Sequence, residues 1–236
     1  MAPTILFVPG SWEGPKPFEP ISALLATQGF IAETAVIPST GTVSPGNPNY
    51  KDDVRAVRGH IQNIISRDED VFLVLHSAGG FTGSEAMEGL SKKELVAQGS
   101  KSGVIGILFI AGAVFPVGHH HAPLPFGRYE GGAMYCADPP AMLFNDFTEE
   151  EMNKWLPGVS TQPADGWDSV ISYTGWEDVP SVYLICEKDG IVPVPAQEQL
   201  AALSKSRIER CSAGHMAQLS QPERVIEVIR ATIDSL

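Results

Sequence analysis

At 236 residues, 43% hydrophobic and 19% charged, the chain has the length and apolar content of one α/β domain with a sizeable core. Its net charge of −12, without any Lys/Arg cluster to neutralise phosphates, excludes nucleic acid and argues against a polyanionic substrate. Three scattered cysteines, Cys136, Cys186 and Cys211, lack metal-ligand spacing and read as reduced, partly buried thiols. Met1-Ala2-Pro3-Thr4 leads at once into an apolar run, with no basic segment, long apolar stretch or cleavage signature. The expectation is a soluble, cytoplasmic protein without membrane contact.

In chain order, Thr4–Val8 is a strand-length apolar run ending in the turn Pro9-Gly10-Ser11-Trp12. Residues 17–28 place Phe18, Ile21, Leu24 and Leu25 on one helical face. A strand over 31–37 and a helix over 52–66 follow. Residues 71–75 form a second apolar run that passes directly into His76-Ser77-Ala78-Gly79-Gly80. Helical sequence then extends to about residue 98, ahead of the apolar run 104–111. Continuous runs of this kind indicate a parallel sheet buried on both faces. Between Val114 and Pro180 the pattern breaks into Pro- and Gly-rich sequence holding Trp155, Trp167 and Trp176, with one clear helix announced by a Thr148/Glu151 capping box. Alternation resumes with strands over 181–186 and 207–211 and helices over 194–203 and 222–236. Six strands alternating with helices predict a doubly wound, mostly parallel α/β sheet spanning 1–236, with 114–180 inserted as a helical cap over its carboxyl edge.

The junction at Ser77 reads as a nucleophile elbow: a serine on a sharp strand-to-helix turn projects its Oγ above the sheet, and the next N–H points at a bound acyl oxygen. Small residues must flank such a turn, and Ala78, Gly79 and Gly80 do so. Among the six histidines, His60 lies within a helical pattern, His76 belongs to the elbow, and His119, His120 and His121 fall in irregular sequence. His215 remains, in the loop after the last strand, where a doubly wound hydrolase needs its general base. The acid is expected from the loop after the preceding strand, with Asp189 ahead of Glu187 because it precedes Gly190 and a Pro-bounded turn. The order Ser77, Asp189, His215 is that of α/β-hydrolases and differs from both protease orders. Backbone donors from Ser11 or Trp12, together with Ala78, would form an oxyanion hole.

Four motifs carry a family resemblance: Val8-Pro9-Gly10-Ser11-Trp12; His76-Ser77-Ala78-Gly79-Gly80; Tyr183-Leu184-Ile185-Cys186-Glu187-Lys188-Asp189 with Ile191 and Pro193; and Ala213-Gly214-His215-Met216 with Leu219, Ser220 and Pro222. The chain resembles the α/β-hydrolases, within them the small group of plant methylesterases and hydroxynitrile lyases and its fungal relatives. The resemblance implies Ser77 as nucleophile, Asp189 as acid, His215 as base, and Ser11 and Ala78 as oxyanion donors. Two positions depart from the pattern: Pro9 stands where the plant members usually have histidine, and Leu75 replaces the first glycine of the elbow.

The cap residues Met134, Tyr135, Met142, Leu143, Phe144, Trp155 and Trp167 are expected to supply an apolar ceiling, with His76 and Met216 beside the pocket, which suits a small, neutral, fairly hydrophobic substrate. The chemistry expected is hydrolysis of an ester or lactone through an acyl-enzyme, without cofactor or metal, since three adjacent histidines do not converge on one ion. Carbon–carbon bond hydrolysis, or a lyase step, uses the same triad. A ligand receptor on a hydrolase fold is the alternative outside catalysis. An apolar patch on the cap or last helix is compatible with a homodimer, which nothing in the sequence requires.

Overall fold

A computed structural model describes residues 2–46, 48–120, 123–165 and 169–236. The strands of the main sheet are β1 (Thr4–Val8), β2 (Ala32–Thr34), β3 (Val71–His76), β4 (Val104–Ile110), β8 (Ser181–Cys186) and β9 (Arg207–Cys211), in the spatial order β2-β1-β3-β4-β8-β9. Every neighbouring pair is parallel. The helices that alternate with them are α1 (Glu19–Thr27), α2 (Tyr50–Ile65), α3 (Gly79–Ala86), α4 (Lys92–Ala97), α7 (Val194–Leu203), α8 (Ala217–Ser220) and α9 (Pro222–Ile233). The remaining elements lie in the 114–180 insertion: β5 (Gly127–Glu130), β6 (Ala133–Cys136), α5 (Pro139–Met142), α6 (Glu149–Trp155) and β7 (Gln162–Pro163).

The unbroken apolar runs follow from the layers. Side chains alternate across a strand. Leu6, Val8, Leu73, Leu75, Ile107 and Phe109 pack on one face against Val57, Ile61 and Ile64 of α2 and Ala201 of α7. Ile5, Phe7, Phe72, Val74, Leu108 and Ile110 pack on the other against Ile21 and Leu25 of α1 and Val225, Val228 and Ile229 of α9. Both faces are therefore dry, and polar alternation would leave unpaired groups inside.

Three details differ from the sequence expectation. The helix expected to run from the elbow to residue 98 is broken: Gly89 adopts φ +68°, and Ser91 starts α4 afresh by accepting the Glu94 N–H on its Oγ at 3.3 Å. The strand expected over 31–37 is regular only along Ala32–Thr34, flanked by bonds from the Ile5 N–H to the Ile31 carbonyl and from the Ala35 N–H to the Phe7 carbonyl, each 2.9 Å. The insertion is not wholly helical. Gly131 and Gly132, at φ +58° and +79°, form a two-residue turn, so that β5 and β6 make a hairpin with Glu130 opposite Ala133, and β7 extends it to three antiparallel strands. The expected capping box does open α6: Thr148 Oγ1 accepts the Glu151 N–H at 3.3 Å, and Glu151 Oε2 accepts the Thr148 N–H at 3.0 Å.

The insertion is tied to the sheet layers by a buried polar cluster. Asp53 of α2 accepts the Ser39 N–H at 2.9 Å and the Ser39 hydroxyl at 2.5 Å, and Ser39 Oγ accepts from Gln162 Nε2 of β7 at 3.0 Å. Burial pushes the Asp53 carboxyl up to about 6, against the lowering effect of the Ser39 bonds. A folded-state pKa above the unfolded value of ~3.9 contributes stability that is complete below that value and lost as pH rises through about 6. The stability difference between Asp53→Asn and the parent is therefore expected to move in favour of the variant by up to about 3 kcal/mol between pH 4 and pH 8. Urea denaturation at both pH values measures it; parallel stability curves would contradict the burial argument.

Candidate active site

The elbow is built by close packing. β3 ends at His76, and Ser77 takes φ +50°, a left-handed conformation that a serine adopts only where its surroundings enforce it. The Ser77 carbonyl accepts the N–H of Gly80 at 2.9 Å and of Ala113 at 2.8 Å, which holds the turn between α3 and the end of β4. A Cβ on Gly79 would strike the carbonyl oxygens of Val8 and Pro9, and one on Gly80 would strike the Ala113 backbone. Leu75, in place of the motif's first glycine, is accommodated from the opposite side. A Cβ on Gly83 of α3 would meet both Leu75 methyl carbons, so the missing glycine has in effect moved to the facing helix.

The turn Pro9-Gly10-Ser11-Trp12 lies directly against the elbow, since a Cβ on Gly10 would sit 2.6 Å from Ser77 Cβ. Trp12 has φ +67°, its indole N–H donates to the Met134 carbonyl at 3.0 Å, and its carbonyl accepts the Ser160 N–H at 2.7 Å. The turn is thus pinned to β6 and to the stretch of the insertion just before β7. Ser11, Trp12, Ser77 and Ala78 share one cavity wall, and the buried Ser11 hydroxyl has no hydrogen-bond partner among the described residues.

Asp189 and His215 meet at the carboxyl ends of β8 and β9. His215 Nδ1 lies 2.8 Å from Asp189 Oδ2, with both side chains essentially buried. Asp189 Oδ1 accepts the N–H groups of Ile191 and Val192 at 2.7 and 2.9 Å. Burial alone would raise the Asp189 pKa, but His215 and the two N–H donors hold it below the ordinary value, so the carboxylate is ionised at neutral pH. Glu187, the alternative acid, points to solvent and pairs with Arg210 at 3.7 Å. Gln197, fully buried in α7, braces the acid loop by accepting the Cys186 N–H and donating to the Cys186 and Val192 carbonyls. From the insertion, Asn145 donates to the Lys188 carbonyl at 2.6 Å and Asp146 accepts the Gly214 N–H at 2.6 Å, which ties both loops to it. Ser77 directly follows His76 in the chain, and the His76 ring centroid is 4.8 Å from that of His215. Among the described residues neither Ser77 Oγ nor His215 Nε2 forms a hydrogen bond. Such contacts commonly tighten only with substrate bound.

The cavity above Ser77 has a volume of about 460 Å³. Its walls come from six stretches: the turn after β1, the elbow and Phe81 of α3, Ala111 to Phe115 after β4, the insertion from Pro123 to Met134, Ala164 and Asp165 after β7, and Ile191 to Leu200. Asp165 is its sole charged lining residue among the described residues. Of the residues expected to line it, Met134 does. Leu143, Phe144 and Met216 instead form a second apolar core with Trp12, Met134 and Cys136, and Trp155 packs on that core; their burial serves the seam between insertion and sheet. His76 is enclosed between Glu13 and His215 and does not reach the cavity. Trp167 lies outside the described residues. His119 stacks on Phe115 at 4.0 Å, His120 bridges to Val170, and His121 also falls outside the described residues. Phe81 and Phe115 were not anticipated as lining. Phe81, four residues after the nucleophile and so one helical turn away, was within reach of the periodicity.

With this geometry in hand, comparisons locate the chain among known proteins. The model of the alpha/beta hydrolase family matches residues 5–228. The alpha/beta hydrolase nvfD of Aspergillus novofumigatus (strain IBT 16806) is 29% identical over 243 residues, covering 98% of this chain and 96% of that protein. Polyneuridine aldehyde esterase has a similar structure, with a TM-score of 0.76 at 16% identity over 98% of this chain and 99% of its own. A pyrethroid hydrolase from Sphingobium faniae JZ-2 gives 0.73 at 16% identity over 99% and 98%. Among the described residues no helix is long and apolar enough to cross a membrane. The six parallel strands, their order, and a family match that runs nearly from end to end agree: the chain belongs to the alpha/beta hydrolase family.

Proposed function

We propose that this hydrolase cleaves a carboxylic ester or lactone of a small, neutral, fairly hydrophobic substrate, with Ser77 as nucleophile, His215 as base and Asp189 as its orienting acid. The observation that carries the reading is the buried, ionised Asp189 bonded to His215 Nδ1, at the same sheet edge as the strained Ser77. Asp189 fixes the tautomer with the proton on Nδ1, leaving Nε2 free to accept. As Ser77 Oγ bonds to the carbonyl carbon, its proton passes to His215 Nε2 and the carbonyl π electrons move onto oxygen, facing the N–H groups of Ala78 and Ser11. Collapse breaks the bond to the leaving alkoxide, which takes the proton from His215. Water then repeats the sequence, releasing the acid and restoring Ser77. The words esterase and hydrolase in the names of the structural neighbours lend support to this class.

The cavity's composition supports the substrate class. Its walls offer aromatic and aliphatic surface and no cation among the described residues, so a released anion or a second carboxylate would lack a counter-charge. That also weighs against a lyase step that releases an anion. p-Nitrophenyl butyrate is expected to show kcat/KM at least about 10-fold above p-nitrophenyl hemisuccinate, a difference of ~1.4 kcal/mol. Equal values would contradict the neutral-substrate reading and leave the triad assignment untouched.

A further inference from the structure

The proposed mechanism leaves unused a buried acid–imidazole pair behind the nucleophile. Glu13, in the turn after β1, is 6% exposed, and His76, the last residue of β3, is 1% exposed. His76 Nδ1 is hydrogen-bonded to Glu13 Oε1, and the same oxygen accepts the Gly10 N–H at 2.5 Å. On the other side of the ring, His76 Nε2 lies 2.9 Å from the backbone oxygen of His215. A carbonyl oxygen only accepts, so Nε2 carries a hydrogen. A second hydrogen on Nδ1 then completes all three bonds. Glu13 Oε2 has no hydrogen-bond partner among the described residues, so the proton of the pair lies between Nδ1 and Oε1, and Nδ1 is favoured because a protonated Oε1 would accept the Gly10 N–H only weakly. The groups around the ring are Glu13, the charge of Asp189, the His215 imidazole at 4.8 Å and the Phe18 ring at 6.3 Å. Burial alone would depress the His76 pKa, but Glu13, the His215 carbonyl and Asp189 outweigh it, and the net direction is upward.

We propose that Glu13 and His76 are positioning residues, a buried imidazolium–carboxylate pair that sets the oxyanion turn, the nucleophile and the base loop relative to one another. Each anchor point adjoins a reacting group: Gly10 precedes Ser11, His76 precedes Ser77, and His215 is held by its own carbonyl. Moving the Glu13 carboxylate releases the Gly10 N–H and, with it, the direction of the Ser11 N–H. Removing the Nε2 hydrogen of His76 frees the base loop. The pair is also neutral as a unit, so it places no uncompensated positive charge beside the ring that must take the Ser77 proton. A lone imidazolium there would oppose that transfer.

The kinetic consequence rests on the serine-hydrolase reading, whereas the charge state of the pair does not. Histidine-selective 15N spectra of the unsubstituted protein, with His76 assigned through backbone connectivities, are expected to show two protonated ring nitrogens at pH 7, above the ordinary histidine midpoint of about 6.5. A bare His76 nitrogen at pH 7 would overturn the proposal. In Glu13→Gln the amide cannot support an imidazolium, so His76 is expected to titrate. The maximal rate of inactivation by a fluorophosphonate is expected to fall about 10-fold or more, with the half-saturating concentration unchanged within about 2-fold. A folded Glu13→Gln protein labelled at the parental rate would also overturn it. Should Glu13→Gln fail to fold, the spectrum of the unsubstituted protein still decides the charge state. If the unsubstituted protein takes no label, the hydrolase reading fails, and the spectrum tests the pair independently.

Discussion

Replacing Ser77 with alanine is expected to lower hydrolysis of p-nitrophenyl butyrate by about 10³-fold or more, while the folded state survives. The loss follows from chemistry alone: Oγ is the atom that bonds to the acyl carbon, and alanine offers nothing in its place. Folding should be nearly indifferent, because among the described residues the hydroxyl makes no hydrogen bond and Ala inherits the same φ of +50°. A change in unfolding free energy within about 0.5 kcal/mol is expected. Initial rates beside urea denaturation of both proteins separate the two effects. Retained turnover in a pure, folded Ser77→Ala protein would assign the chemistry to another group.

Asp189→Asn is the second large effect, about 10⁴-fold in kcat at neutral pH. The amide oxygen can still accept the N–H groups of Ile191 and Val192, so the acid loop keeps its shape. The amide nitrogen then faces His215 Nδ1 as a donor, where the carboxylate was an acceptor. Nδ1 must become the acceptor, the ring proton moves to Nε2, and the imidazole can no longer take the Ser77 proton. The pKa of Asp189 is depressed, so in the parent its contribution to stability is present above the unfolded value of ~3.9 and lost only as pH falls through the lower folded value. The deficit of the variant should therefore persist across pH 6 to 8. A defect below about 10-fold would show that Asp189 is not what orients His215.

How much of this was legible in the sequence depends on what each residue touches. β1, β3, β4 and β8 were readable because a sheet covered on both faces demands apolar residues at every position, a signal independent of the rest of the chain, whereas β9, Arg207–Cys211, is a largely exposed edge strand. Ser77 and Asp189 stood out as candidates because each follows such a strand, and His215 because elimination among the six histidines left it in the loop after β9. The hairpin β5–β6 was hidden by its short strands and the exposed, polar composition of β5, although Gly131-Gly132 is a recognised two-residue turn signal. The cavity walls could not be read, since six separate stretches supply them and the direction of each side chain is set by tertiary packing. Leu143, Phe144 and Met216 are as apolar as Phe81 and Phe115, and sequence alone does not tell a seam from a wall. The replacement of glycine by Leu75 looked like a defect in the motif until Gly83 was seen opposite it. Glu13 belongs to no motif singled out in the sequence, and only the fold brings it to His76 across 63 residues.

The most direct test of the central claim, that Ser77 is an activated nucleophile, is the intact mass of the protein after exposure to a fluorophosphonate, run beside Ser77→Ala. The account predicts a single adduct on the unsubstituted protein and none on the variant. No adduct on a folded protein, or one that persists in Ser77→Ala, would contradict it.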